Sequence, residues 1–177
     1  MEIILRCELP DRRGALAAVA GVIAEAGGDI EAVEVVGTFD GRALDDFVVV
    51  LGSGAVQQLV DAIQSVADTR VVHVGPSRGH PGDAVTRLAL GVQCILDGAM
   101  ALDHGVEVLV GGLLRAQAIH FVHAADAPEE SDTTLVVPFD GRCLVVQRDY
   151  RFTDAERDRV WSVLRVCEQV ALVTRAS

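Results

Sequence analysis

The strongest constraint in the chain is the pairing of Glu8-Leu9-Pro10-Asp11-Arg12-Arg13-Gly14-Ala15-Leu16 with Ala26-Gly27-Gly28-Asp29-Ile30. The first segment closes one extended run and opens a helix. The second closes that helix, with Gly27 and Gly28 as its stop, and begins another extended run. Gly14 lets backbone approach a ligand, and a fresh helix N-terminus presents free N–H groups to an anion. The carboxylate of a small molecule would accept from the amides of Gly14, Ala15 and Leu16. Asp11 or Asp29 would hold an ammonium group, and Arg12 and Arg13 would draw an anion to the same loop. The plainer alternative is a tight turn at Gly14 that binds nothing.

Elements follow from the spacing of apolar residues. Residues 2–9 alternate imperfectly, Ile3, Leu5 and Cys7 against Glu2, Arg6 and Glu8, and read as a strand. Leu16, Val19, Ala20 and Ile23 make the stripe of a helix over 15–26. A strand at 30–38, an Asp40-Gly41 hairpin turn, a strand at 43–51, a helix at 55–67 and a short strand at 71–74 complete the first unit. The order strand-helix-strand-strand-helix-strand predicts a ferredoxin-like βαββαβ domain over residues 1–74, two helices on one face of an antiparallel sheet. Residues 75–82, rich in Gly and Pro, have the composition of a linker.

The second unit, 83–177, starts with Asp83 as N-cap. A helix over 84–102 buries Val85, Leu88, Ala89, Val92, Ile95, Leu96 and Ala99, and Gly105 ends it. Strands are predicted at 106–110, 118–123, 134–138 and 143–148. The last two are joined by Phe139-Asp140-Gly141-Arg142, which repeats residues 39–42 letter for letter, and 125–132 reads as an exposed acidic loop. Thr153-Asp154-Ala155-Glu156 is a capping box that opens the final helix. Val160, Leu164, Cys167, Val170 and Ala171 form its stripe, with Trp161 and Val163 widening it toward a helix–helix contact. The expected architecture is α+β: after the ferredoxin-like domain, a small α/β unit with a central antiparallel sheet flanked by N- and C-terminal helices.

Composition narrows the function. The net charge of -11 argues against nucleic acid and anionic membranes as partners, because both need clustered Lys and Arg. No apolar run reaches membrane-spanning length, and Met1 to Arg6 reads as a first strand and not a signal peptide. Four scattered cysteines, Cys7, Cys94, Cys143 and Cys167, read as buried thiols of a cytoplasmic protein. His120 and His123 fall on opposite faces of a strand and cannot share a metal there. No nucleophile stands beside a base, and the Gly27-Gly28 and Gly111-Gly112 pairs are no nucleotide fingerprint. The expectation is no enzyme, no metal and no cofactor.

Pro10-Asp11-Arg12-Arg13-Gly14-Ala15-Leu16, Val19, Ile23 and Ala26-Gly27-Gly28-Asp29-Ile30, in this element order, make residues 3–74 resemble an ACT domain, a small module that binds amino acids and controls enzymes of their metabolism. Arg13 stands where proline is common, and Asp29 where asparagine is. An acid at 29 repels a ligand carboxylate and attracts an ammonium. The resemblance implies a ligand between the first strand-to-helix loop and the start of strand two, with Asp11, Arg12, Arg13, Gly14, Ala15, Leu16, Asp29 and Ile30 as site residues. It also implies a homodimer.

Less specifically, Thr134 to Val146 and Tyr150 to Arg157 resemble the end of a GAF-type sensor domain. The stretch between Gly105 and Thr134 is short for that family's pocket, so the expectation is a reduced GAF-like unit for dimerisation or output. The implied function is a regulatory protein whose amino-acid ligand rearranges the dimer, with the output carried by a partner protein. The competing readings are a ligand-free interaction module, an acid–base enzyme in the second unit, and a nucleotide or other small-molecule sensor in the GAF-like half.

Overall fold

The first extended run forms strand β1 (Glu2–Pro10), and helix α1 (Ala15–Glu25) returns along it. Strands β2 (Asp29–Phe39) and β3 (Arg42–Val50), helix α2 (Val56–Gln64) and strand β4 (Arg70–Pro76) follow. The structure is a computed structural model; it describes residues 1–77 and 83–176 and divides into two units, Met1–Pro81 and Gly82–Ser177. The sheet of the first unit has the order β2-β3-β1-β4 with every neighbouring pair antiparallel, which is the ferredoxin-like arrangement. Gly75 and Pro76, assigned above to the linker, pair with Ile4 and Ile3 as the end of β4. Residues 78–82 of the predicted linker lie outside the described residues.

One face of this sheet is apolar because β1 and β3 alternate. Ile3, Leu5, Cys7 and Leu9 join Ala43, Phe47 and Val49 beneath Val19 and Ile23 of α1 and Leu59 and Ile63 of α2. The buried stripe of α1 is Ala15, Val19 and Ile23, and Leu16, expected inside, is exposed. The stripe begins one residue earlier because Gly14 is itself the N-cap. Helix α1 ends in a Schellman turn: Gly27 has φ 78°, and the Gly28 N–H donates to the Ile23 carbonyl at 2.9 Å. A Cβ on Gly28 would lie 2.9 Å from both Ile23 Cγ2 and Val49 Cγ1. Gly28→Ala is therefore expected to overpack the helix–sheet seam and cost about 1–3 kcal/mol, read as a lower urea midpoint with unchanged slope.

The two Asp-Gly hairpins use one solution. Asp40 and Gly41 have φ 48° and 73°, and Asp140 and Gly141 have φ 48° and 76°. Positive φ at both central residues makes these type I′ turns, whose twist matches the flanking strands.

The second unit comprises α3 (Asp83–Leu96), α4 (Leu102–Leu114), β5 (Ala118–His123), β6 (Thr134–Phe139), β7 (Arg142–Gln147) and α5 (Asp154–Ala176). A single 3-10 turn, Ala124–Asp126, opens the acidic loop. The sheet is antiparallel in the order β5-β7-β6. Its core joins Ile95, Val106, Val110 and Leu114 to Leu135, Val137, Leu144 and Val146 and to Val160, Leu164 and Cys167.

Two expectations are corrected here. Residues 106–110, Val-Glu-Val-Leu-Val, are not a strand but the middle of α4. Their period-two look covers too short a window; the buried set Gly105, Val106, Val110, Gly111 and Leu114 follows the helical period. Gly105 is not a helix stop either. A Cβ there would meet Ile95 Cδ1 at 2.5 Å, and one on Gly91 would meet Leu109 Cδ2 at 2.4 Å, so both glycines let α3 and α4 pack closely. Within α3 Ile95 is buried and Leu88 and Val92 are partly so, while Val85, Ala89 and Leu96 are exposed; the helix ends at Leu96 and not at 102, which leaves Ala99 outside it and exposed, and the cap role given to Asp83 lies outside what is described. Trp161 is 44% exposed and lies outside the unit's core.

The capping box stands as read. The Glu156 N–H donates to Thr153 Oγ1 at 3.2 Å, and the Thr153 N–H donates back to Glu156 Oε2 at 2.9 Å. Cys7, Cys143 and Cys167 are buried free thiols, and Cys94 is half-buried.

Candidate functional site

The loop between β1 and α1 is built to leave a helix N-terminus open. Gly14 is the N-cap with φ 87° and ψ -12°, no side chain caps the helix, and its first turn carries no acid. Asp11, Arg12, Arg13 and Leu16 are all exposed around it. A Cβ on Gly14 would meet nothing within 4 Å, so glycine is required by the left-handed backbone and not by a close neighbour. The Ala15 N–H already donates to the Arg12 carbonyl at 3.2 Å, which leaves the carboxylate role expected of this turn to Gly14 and Leu16. The loop is tethered to the β2–β3 hairpin: the Asp11 N–H donates to the Gly41 carbonyl at 2.9 Å. Below it, Glu8 ties three strands together, accepting from Arg42 Nε at 2.7 Å and Arg70 Nη2 at 2.6 Å.

Asp29 and Ile30 are not part of this cluster within one chain. Asp29 and Glu2 both pair with Val50 at one end of the sheet, whereas Pro10 and Phe39 pair with Arg42 at the other. The length of α1, eleven residues at 1.5 Å each, puts the two parts of the expected site about 16 Å apart.

Residues 3–68 match the ACT domain family model. The amino-terminal unit is an ACT domain. Among solved structures, a regulatory subunit of aspartate kinase from Thermus thermophilus is similar at 15% identity and TM-score 0.38, covering 96% of this chain and 91% of that one. An uncharacterized protein, TM1266 from Thermotoga maritima, is similar at 18% identity and TM-score 0.35, over 44% of this chain and 96% of that one. A putative glycine cleavage system transcriptional repressor is similar at 9% identity and TM-score 0.38, over 96% of this chain and 92% of that one. The assignment rests on the family match and not on likenesses this weak. Among curated proteins, none matches the chain.

The ACT domain holds one acidic pair that the sequence reading passed over. Asp45 and Asp46 interrupt the apolar β3, and alternation sends them to opposite faces. Two adjacent acids inside an otherwise apolar strand were the signal, since at least one had to point inward. Asp46 faces away from the helices and forms a bidentate pair with Arg6, Nε–Oδ1 at 2.7 Å and Nη2–Oδ2 at 2.9 Å. Asp45 lies under the helices, opposite Cys7 on β1 and Val35 on β2, and is 2% exposed. Its Oδ1 meets no hydrogen-bond donor of the protein. Burial first, then the charges of Asp46 and Asp11, push its carboxyl up to about 6. Burial likewise pushes the Cys7 thiol up to about 12.

An open apolar depression of about 480 Å³ lies in the second unit, lined by Leu96, Arg165, Val166, Gln169, Val170 and Val173. Among the described residues, no group of three or more His, Cys, Asp or Glu is placed to hold a metal ion. No helix among them is long and apolar enough to cross a membrane.

Proposed function

We propose that this protein is a non-catalytic regulatory module whose ACT domain binds an α-amino acid and signals its occupancy through a homodimer to a partner protein. The observation that carries the reading is the uncapped N-terminus of α1 behind Gly14, in a domain of this family. Free amides and the helix dipole there favour a carboxylate, and Arg12 and Arg13 add positive charge around it. Asp11 is exposed beside it and adds negative charge that favours an ammonium nearby.

The separation of Gly14 from Asp29 supports the dimer. Strand β2 is a sheet edge, and its Val33 and Val35 are 42% and 58% exposed. An edge strand that exposes valines offers backbone groups and apolar surface to a second strand. Two β2 strands paired antiparallel about a two-fold axis would bring Asp29 of one copy beside the hairpin of the other. That hairpin is the one bonded to the Asp11 loop. The second unit, read as a reduced GAF-like unit, would add dimer contacts or carry the output.

A thermal-shift screen against the twenty amino acids tests this. A ligand at about a hundred times its dissociation constant stabilises the native state by about 2.7 kcal/mol. One amino acid or a few related ones are expected to raise the melting temperature. Gly14→Val is expected to abolish the shift and Asp29→Ala to weaken it. A flat response to all twenty would overturn the amino-acid reading in favour of the ligand-free interaction module.

A further inference from the structure

We infer that Asp45 is a specificity-determining residue of the same site, the carboxylate that receives the ligand's ammonium group. The inference rests on the amino-acid reading and adds a residue from β3, beneath the helix, to a site otherwise drawn from loops. A buried acceptor without a donor is costly and rare, and one that persists calls for a function. The Oδ1 of Asp45 is such an acceptor. The groups that face it are the Cys7 thiol on β1, the apolar Val35 on β2 and Asp11 from the loop; α1 brings no charged residue over it before Glu25 at its far end. The arginines one or a few register steps away are engaged elsewhere: Arg6 with Asp46 on the opposite face, and Arg42 and Arg70 with Glu8. The site therefore holds negative charge below and an anion-attracting helix end above. A zwitterion with adjacent carboxylate and ammonium matches both.

Asp45 is 2% exposed, so the ammonium reaches it only as the groups covering it shift. The Asp11 N–H is bonded to the Gly41 carbonyl, so a ligand seated against this loop loads the hairpin that leads into the edge strand β2. This gives occupancy a route to the proposed dimer edge.

The probes are the twenty amino acids and the 2-hydroxy acids with the same side chains, which keep the carboxylate and replace the ammonium by a hydroxyl. Melting shifts and calorimetric affinities are compared for the unmodified protein, Asp45→Asn and Gly14→Val. The unmodified protein is expected to bind an amino acid at least about tenfold more tightly than its hydroxy acid, and Asp45→Asn to lose that preference. Affinity for the amino acid is expected to fall as the pH drops through about 6, where the carboxyl takes up a proton, and Asp45→Asn to remove that dependence. Without ligand, Asp45→Asn is expected to melt higher than the unmodified protein at pH 7.5, with the gap closing as the pH falls below about 6. That last result shows the variant is folded. Unchanged affinity and preference in Asp45→Asn, with binding lost in Gly14→Val, would overturn the role of Asp45 and leave the amino-acid reading intact. No binding by the unmodified protein would overturn both.

Discussion

Arg148→Ala is expected to cost the second unit about 3–5 kcal/mol, read as a large drop in urea midpoint. The Arg148 side chain is fully buried and Glu156 is nearly so. Its guanidinium donates to Glu156 at 3.0 and 2.6 Å and to the carbonyls of Leu114, Tyr150 and Arg151. It also lies 4.1 Å over the Tyr150 ring and 4.0 Å over the Phe152 ring. One side chain thus joins the end of α4, the turn after β7 and the start of α5. Truncation takes the guanidinium away from a buried carboxylate, and it strips the Leu114 carbonyl of the donor that Arg148 supplies. The double variant Arg148→Met/Glu156→Gln keeps an apolar stem and a capping-box residue, and is expected to recover much of the loss. A loss below about 1 kcal/mol in Arg148→Ala would mean that water takes the place of the guanidinium.

Arg6→Ala is expected to be comparably damaging to the ACT domain. Arg6 and Asp46 are directly opposed on β1 and β3, and Glu34 on β2 is opposite Asp46 in turn. Removing the arginine leaves Asp46 buried beside another acid, with Asp45 next to it in sequence. Breaking a buried pair in this way costs about 3–5 kcal/mol because the surviving carboxylate loses its guanidinium partner. Taking up a proton relieves the penalty, because a neutral carboxyl is cheaper to bury than a carboxylate. The deficit of the variant is therefore present at neutral pH and shrinks as the pH falls toward 4. Urea melts of both proteins at pH 7.5 and pH 4.5 check the sign. A deficit that is the same at both values would place the cost in lost packing of the arginine stem instead of in charge.

What could be read without coordinates was whatever depends on residues close in the chain. The capping box of α5, the two Asp-Gly turns and the Gly27 stop are local hydrogen-bonding and torsional choices, and each stands where it was read. The order of elements, with the imperfect alternation of β1, carried the ferredoxin-like domain, because short connections leave few other topologies. The failures are of a different kind. Gly105 looks the same in sequence as a helix stop or as a close crossing, and only Ile95, ten residues away, decides which. Val106 to Val110 alternate like a strand, and only the neighbours that bury Val106, Val110 and Leu114 make them helix. Gly14 and Asp29 look like one site because a motif joins them, yet the length of α1 holds them apart until a second copy is considered. Asp45 carried no local signal of its isolation, since the absence of a donor is a property of everything packed around it. Local torsions and hydrophobic period thus determined the elements of this protein from sequence alone. Which residues meet, and which acid is left without a partner, was decided by tertiary packing, because those energies depend on groups far apart in the chain.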